Sequence, residues 1–125
     1  MICGIGVDLV EIARMERILQ RWGDRFLQKV FTAEEIAYCR AKAVPALHFA
    51  ARFAAKEASL KAMGLGLGMG LALKDIGTAH RGGGVPELCF SEEGQQALCR
   101  AEIRRAHLSL THTKGFAIAM VVMER

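Results

Sequence analysis

The sequence predicts one compact α+β domain, and three regions carry that prediction. Apolar residues alternate with glycine or aspartate over residues 2 to 9, which indicates a strand, whereas residues 47 to 63 follow a helical period. Near the end of the chain, residues 108 to 113 and 115 to 123 indicate two strands joined by a tight turn at Lys114. With 125 residues and 52% hydrophobic content, residues 1 to 125 are expected to form a single domain with a substantial core.

A helix follows the first strand directly. Ile5, Val7 and Leu9 share one face of that strand, which is expected to end at Asp8 and so to place a carboxylate at a strand-to-helix junction. The period changes from Glu11 onward, and one helical arc then holds the apolar residues Ile12, Met15, Leu19, Trp22 and Phe26. Gly23 weakens the last turn, so a kink is expected there.

The remaining elements are shorter. Thr32 and Glu35 form a capping box that predicts a helix to about Lys42, and Pro45 separates this helix from the long one. A glycine-rich run over residues 64 to 70 ends the long helix, and its backbone amides can approach a phosphate, although it is neither a Walker loop nor a dinucleotide fingerprint. The rest is predicted as a strand (71 to 76), a flexible connection (81 to 84), a strand (85 to 90) and a helix (91 to 106).

Composition narrows the class of protein. A formal net charge of +4 favours an acidic partner, and nucleic acid, an anionic cofactor and an acidic protein all remain open. The four cysteines are widely spaced without a Cys-x-x-Cys pair, which argues against a zinc ribbon or a thioredoxin-type site. The longest apolar run is about half of a membrane span and no signal-peptide pattern is present, so a cytoplasmic protein without membrane contact is expected.

The long helix contains a candidate site. Glu57 and Lys61 lie one turn apart on a stripe that also holds Ala50 and Ala54, and these small neighbours leave room for a ligand. A carboxylate and an amine placed in this way can meet a metal ion, an acidic group or both. The alternative is a solvent-exposed ion pair that adds a few tenths of a kcal/mol to the helix. These residues alone leave both interpretations open.

Arginines gather on one side of the first helix, nearly opposite its apolar arc. They are Arg14, Arg17, Arg21 and Arg25. A solvated face is the ordinary interpretation of a charged stripe. Since this stripe has no lysine or carboxylate among its members, and since guanidinium groups suit carboxylates and phosphates, a docking surface for an acidic helix or for nucleic acid is favoured.

Four segments of the chain form a familiar combination: Ile5 to Ile12, Phe31 to Glu35, Arg52 to Ala58 followed by Lys61 and Gly64, and Leu108 to His112. Together they resemble the holo-acyl-carrier-protein synthases, which are the small 4'-phosphopantetheinyl transferases. The match is colinear over essentially the whole chain, and the aspartate segment combined with the Lys-Glu-Ala-x-x-Lys segment is highly specific. The resemblance implies an antiparallel sheet wrapped around a long central helix, assembled as a homotrimer with active sites between subunits.

The resemblance also implies a reaction. Phosphopantetheine moves from coenzyme A to a serine of apo-acyl carrier protein in a Mg²⁺-dependent transfer that releases adenosine 3',5'-bisphosphate, in fatty acid or polyketide biosynthesis. Carried over by position, Asp8 and Glu57 are expected to bind Mg²⁺ and to be catalytic together with Lys61. Coenzyme A contacts are expected at Arg52, Lys61, Gly64, Gly66, Gly68, Ser109, Thr111 and His112.

These residue types suit such a transfer chemically. Mg²⁺ prefers oxygen ligands and commonly takes one or two carboxylates plus phosphate and water, and the Lys61 ammonium can hold a phosphate oxygen. A base must also take the serine proton, and the candidates are Glu57, a metal-bound water and His112. The arginine face would meet an acidic acyl carrier protein, with opposite charge steering the encounter.

Two other classes of protein are worth weighing. A nucleic-acid-binding module would explain the arginines, but it leaves Asp8, Glu57 and Lys61 without a purpose, and the chain has few aromatic residues for base stacking. An inactive relative that only binds acyl carrier protein would keep the arginines and would not need the carboxylate pair. The sequence therefore favours the transferase.

Overall fold

The computed structural model describes residues 1 to 66 and 70 to 125. In these residues the chain forms, in order, β1 (Ile2–Glu11), α1 (Ile12–Trp22), α2 (Asp24–Val30), α3 (Ala33–Arg40), α4 (Pro45–Ala62), β2 (Ile76–His80), β3 (Pro86–Phe90), α5 (Glu92–Arg100), β4 (Arg105–His112) and β5 (Phe116–Glu124). Two single 3-10 turns, Leu73–Asp75 and Gly82–Gly84, flank β2.

The three long strands form an antiparallel sheet in the order β1-β5-β4, and β2 pairs with β3 in a separate antiparallel hairpin. Helix α4 packs on the inner face of the larger sheet, chiefly against β1 and β5. Twelve of its 18 residues are buried, so α4 is the centre of the domain rather than a covering helix. The predicted α+β fold, with an antiparallel sheet around a long central helix, is confirmed.

Two glycines allow β1 to lie directly on α4. A Cβ atom placed on Gly4 would stand 1.8 Å from the carbonyl oxygen of Ala62, and one placed on Gly6 would stand 1.8 Å from that of Ala58. The helix therefore meets the strand at Ala58 and Ala62, where small side chains let the two backbones come close. Ala50 and Ala54, which were expected to leave room for a ligand, are fully buried in the core. The contact of β1 with α4 determines where along α4 the side chain of Asp8 lies.

Several predicted boundaries are wrong. Strand β1 does not end at Asp8 but continues to Glu11, because it pairs with β5 as far as Glu11 opposite Phe116. Asp8 therefore lies within a strand, opposite Ala119, and not at a junction. The strand predicted over residues 71 to 76 begins only at Ile76, and the last helix ends at Arg100.

Other predicted details hold. Gly23, with a φ angle of 51°, separates α1 from α2, as the expected kink required. The capping box of α3 is present, with the Glu35 amide donating to Thr32 Oγ1 and the Thr32 amide donating to the Glu35 carboxylate. Pro45 is the first residue of α4, where its missing N–H costs nothing. The turn at Lys114 joins β4 to β5 in an antiparallel pair.

The outer face of the larger sheet is apolar and uncovered in the single chain. Val7 and Leu9 of β1 are 54% and 56% exposed, and Met120 of β5, which pairs with Val7, is 47% exposed. Ile5 and Phe116 extend the same exposed face. Contiguous apolar surface of this kind is typical of an interface.

The helices and the cysteines of the described residues exclude two features, a membrane-spanning helix and a disulfide. Over residues 1 to 66 and 70 to 125, the helices are too short or too polar to span a bilayer. The four cysteines are free thiols, and burial raises the pKa of Cys39 to about 12, which makes this thiol unreactive at neutral pH.

Candidate active site

Asp8, Glu57 and Lys61 come together where β1 crosses α4. Lys61 Nζ lies 3.2 Å from Asp8 Oδ1 and donates to the backbone oxygen of Val7 at 3.0 Å. Asp8 is largely covered, with 19% of its side chain exposed, whereas Lys61 is about half exposed. Lys61 thus pairs with a carboxylate on another element, and the simple ion pair between Glu57 and Lys61 along the helix is not the arrangement found.

The electrostatics of Glu57 reflect this crowding. Burial raises the pKa of the Glu57 carboxyl, the neighbouring Asp8 raises it further, and Lys61 partly offsets both effects. The negative charges of Asp8 and Glu57 therefore oppose each other, and the Lys61 ammonium offsets this only in part. A further cation would relieve this repulsion.

The donor set fits Mg²⁺ when a phosphate completes it. Across residues 1 to 66 and 70 to 125, no group of three or more histidine, cysteine, aspartate and glutamate side chains is placed to hold a metal ion. A pair of carboxylates is nevertheless what Mg²⁺ commonly uses where substrate phosphates and water supply the remaining ligands. Asp8 and Glu57 are such a pair, so the site is expected to fill only together with a phosphate ligand.

A second, positively charged cluster surrounds Arg52, and of its members only Arg52 was predicted from the sequence. Arg52 is 2% exposed, its guanidinium lies 4.1 Å from the centre of the Tyr38 ring, and Nη2 is 3.4 Å from Nδ1 of His80. Lys42 Nζ lies 4.4 Å from the same ring centre, and the His80 ring stacks on Tyr38 at 4.6 Å. Nη1 of Arg52 donates to the His48 backbone oxygen at 3.4 Å.

The Arg52 cluster is suited to binding an anion. Within the described part of the chain, the buried Nε atom of Arg52 has no hydrogen-bond partner. Burial lowers the pKa values of His48 and His80, and the nearby charges of Arg52 and Lys42 lower them further. An anion bound here would satisfy the guanidinium and offset the repulsion among these groups.

The remaining residues expected to contact coenzyme A are divided among different places. Gly64 follows α4 with a φ angle of 73°, its amide donating to the Lys61 backbone oxygen, and Gly66 comes two residues later. Gly68 lies outside the described residues. Ser109 and Thr111 lie on the outer face of the sheet, opposite Met120 and Ile118. His112 ends β4 on the other face and acts electrostatically on His48. One chain therefore does not gather all of these positions at one point.

The predicted arginine face borders a cavity next to Asp8. The cavity has a volume of about 410 Å³ and is lined by Asp8, Leu9, Val10, Glu11, Arg14, Met15, Ile18, Phe26, Phe53 and Phe116. Phe26 stacks on Phe53 with ring centres 6.4 Å apart, so much of the wall is aromatic. The cavity extends from the first turn of α1 to Asp8.

The arginines themselves are less uniform than the sequence suggested. Arg17 pairs with Glu11 at 3.4 Å, so the face does include a compensating carboxylate. Arg21 lies 5.2 Å from the Trp22 ring centre, and Arg25 belongs to α2, beyond Gly23. Arg14 is the member that reaches the cavity.

Comparison with known proteins identifies the class. The model of the 4'-phosphopantetheinyl transferase superfamily matches residues 4 to 121. The chain belongs to this superfamily, as the sequence resemblance implied, and the fold with its carboxylate cluster is consistent with that membership. The chain is accordingly a transferase, and the comparisons lend no support to a nucleic-acid-binding module.

Individual relatives of the chain include several holo-[acyl-carrier-protein] synthases. A holo-[acyl-carrier-protein] synthase of Koribacter versatilis is 44% identical over 124 residues, which cover 99% of both chains. The crystal structure of the Neisseria meningitidis holo-[acyl-carrier-protein] synthase superposes with a TM-score of 0.93 at 34% identity and covers both chains completely. The Helicobacter pylori enzyme, solved in complex with coenzyme A, gives a TM-score of 0.85 at 33% identity over 96% of this chain and 99% of that one. These relatives confirm the predicted holo-[acyl-carrier-protein] synthase type.

Proposed function

We propose that the chain transfers 4'-phosphopantetheine from coenzyme A to a serine of apo-acyl carrier protein, requires Mg²⁺ and releases adenosine 3',5'-bisphosphate. The observation that carries this proposal is the meeting of Asp8, Glu57 and Lys61 at the crossing of β1 and α4. The type of enzyme to which the relatives belong, and the coenzyme A bound by the Helicobacter pylori relative, support the choice of donor and acceptor.

Asp8 and Glu57 would hold Mg²⁺ through carboxylate oxygens. When bound, the ion would neutralise charge on the pyrophosphate of coenzyme A as the bond to phosphorus breaks. Lys61 stands beside Asp8 and is half exposed, so its ammonium can contact a phosphate oxygen from the solvent side. Glu57 is the candidate for accepting the serine proton, directly or through water, because burial and Asp8 raise the pKa of its carboxyl.

The Arg52 cluster is proposed to hold a phosphate group of coenzyme A. A buried guanidinium with an unpaired Nε, supported by Lys42 and His80, suits a doubly charged anion better than a neutral ligand. Gly64, Gly66 and Gly68 are proposed to contact the phosphates next to Lys61. Ser109, Thr111 and His112 complete the proposed set of coenzyme A contacts.

Docking of the carrier protein is assigned to the arginine face and the adjoining cavity. An acidic helix placed along Arg14, Arg17 and Arg21 would be steered by opposite charge. The aromatic wall formed by Phe26 and Phe53 would add apolar contact. Because the same cavity reaches Asp8, a serine at the end of such a helix would arrive beside the carboxylate cluster.

A homotrimer would explain two features that a single chain leaves unexplained. The apolar outer face around Val7 and Met120 would be covered, and Ser109 and Thr111 on that face would meet the site of a neighbouring subunit. Replacing Met120 with Asp should convert the assembly to monomers in sedimentation velocity and abolish transfer. A monomeric wild-type protein that is fully active would refute shared sites.

The reaction would serve fatty acid or polyketide biosynthesis in the cytoplasm. The decisive test mixes the protein with apo-acyl carrier protein, coenzyme A and Mg²⁺, and weighs the carrier protein by mass spectrometry. A gain of about 340 Da, the mass of one phosphopantetheine, that disappears with chelator is the expected result. An unchanged carrier mass under all conditions would overturn the proposal, whereas transfer that survives the chelator would remove only the role of Mg²⁺.

A further inference from the structure

A buried ion pair lies behind the candidate active site and belongs to neither cluster described above. Lys56, the residue next to Glu57 on α4, is 0% exposed, and its ammonium is 2.6 Å from Glu35 Oε1. Lys56 also donates to the backbone oxygen of Leu73 at 3.1 Å and to that of Ile76. An ammonium has three donors, and these three acceptors use all of them.

The Glu35 carboxylate is equally engaged. Besides Lys56, its Oε1 accepts from the Thr32 amide at 3.0 Å, and its Oε2 accepts from the Thr78 amide at 3.1 Å. The network therefore ties α4 to the start of α3, to the turn before β2 and to β2 itself. Charges can be this deeply buried only because every donor and acceptor is paired.

We propose that Lys56 and Glu35 are positioning residues for the binding of coenzyme A, and that they fix strand β2, and with it the Arg52 cluster, relative to Glu57. This inference rests on the proposed function. The side-chain hydrogen bonds of Lys56 and Glu35 run to each other and to the backbone of Thr32, Leu73, Ile76 and Thr78, so their effect on coenzyme A binding passes through the backbone that they hold.

The Arg52 cluster is the region that this pair positions. Strand β2 carries His80, which contacts Arg52 and stacks on Tyr38. Lys56 holds β2 at Ile76 and Glu35 holds it at Thr78, two residues before His80. Loss of the pair should therefore disturb the Arg52 cluster, which is proposed to bind coenzyme A, while the docking face on α1 lies outside the network.

The test compares wild-type protein with the double variant Lys56→Met and Glu35→Gln. Removing one partner would leave an uncompensated buried charge and can unfold the chain, whereas removing both charges avoids that penalty. Met123→Ala is the matched control, because Met123 is fully buried in β5 and lies outside the network, so this variant loses core packing alone.

The double variant is expected to raise the KM for coenzyme A about 10- to 100-fold and to change the KM for carrier protein by less than about twofold, as expected for misplaced binding groups. Hydrogen exchange in peptides covering residues 70 to 80 should accelerate without any substrate, while exchange in residues 105 to 124 stays as in wild type. Met123→Ala should show neither change in the folded protein.

Unchanged KM for coenzyme A together with unchanged exchange in residues 70 to 80 would overturn the positioning role. So would an equal rise of both KM values, because that is the signature of a general structural defect. If wild-type protein transfers nothing, the proposed function fails. In that case, faster exchange in residues 70 to 80 would still support the positioning of this backbone by Lys56 and Glu35, and unchanged exchange would refute it.

Discussion

Replacing Gly6 with Ala offers the sharpest test of how the fold creates the site. The added Cβ would stand 1.8 Å from the Ala58 carbonyl oxygen, and ordinary contact begins at 3.4 Å, so β1 and α4 must separate by about 1.6 Å. The obstructing atom belongs to the backbone of a central helix and cannot rotate away. Overpacking of this kind typically costs about 1 to 3 kcal/mol of folding free energy.

The catalytic cost of Gly6→Ala should exceed its cost in stability. Asp8 lies two residues beyond Gly6 on the same face of β1, so the separation would stretch the 3.2 Å contact between Lys61 and Asp8. A misplacement of about 1 Å at reacting groups can cost roughly 100-fold in rate. We therefore expect a fall in kcat of about that size when transfer is measured by mass spectrometry at a temperature where circular dichroism shows the variant to be folded.

Gly82→Ala is the matched control for this experiment. A Cβ at Gly82 would have nothing within 4 Å, so this variant should keep wild-type stability and activity. If Gly6→Ala matches Gly82→Ala in both the free energy of unfolding and kcat, then the close packing of β1 on α4 does not set the geometry of the site.

Three further predictions concern side chains of the site. Glu57→Gln should abolish transfer yet slightly raise the thermal stability of the Mg²⁺-free protein at neutral pH. Because the folded-state pKa of Glu57 is raised, its ionisation destabilises the fold as pH rises through that pKa, so the gain should vanish below about pH 4.5; equal stabilities at neutral pH would contradict this. Reversing Arg14 and Arg21 to Glu should raise the KM for carrier protein at least about tenfold and that for coenzyme A little, and equal effects would count against docking. Arg52→Lys should weaken coenzyme A binding almost as much as Arg52→Met in calorimetry, since an ammonium cannot reproduce a planar guanidinium over Tyr38; full retention of affinity by the lysine variant would exclude that role.

Patterns local in sequence predicted local structure well. Three such features are present: the capping box of α3, the kink at Gly23 and the hairpin of β4 and β5. Each depends on residues that are close together in the sequence. The predicted end of strand β1 at Asp8 is too early, because the hydrophobic period becomes helical from Glu11 onward. Its real length depends on pairing with β5, more than 100 residues away in the sequence, which no local pattern contains.

The carboxylate cluster was predictable only through resemblance, and the Arg52 cluster was hardly predictable at all. Tyr38 and His80 stack although 42 residues separate them, and neither belongs to a recognisable motif. The role of Gly6 was equally hidden, because alternation shows which face a glycine occupies and not how closely another backbone approaches it. Such features arise when elements that are distant in the sequence pack together, so no local sequence pattern shows them.

The geometry also bears on which group accepts the serine proton. Asp8 lies opposite Ala119 on β5, and Ala119 lies opposite Leu110 on β4, so two strand spacings, about 10 Å, already separate Asp8 from the row that contains Leu110. His112 is two residues further along β4, and direct proton transfer needs an approach of about 3 Å. Within one chain this favours Glu57 or a water beside it over His112.

Glu57 can serve as ligand and base only if the two demands use different oxygens. Lys61 is committed to Asp8 and to the Val7 backbone oxygen, so it leaves the Glu57 carboxylate free of a tight ion pair that would weaken it as a base. Burial and Asp8 raise the pKa of Glu57, and a bound cation would lower it again. Asp8 and Glu57 would hold the cation together, and Glu57 would also accept the proton of the serine, directly or through a water.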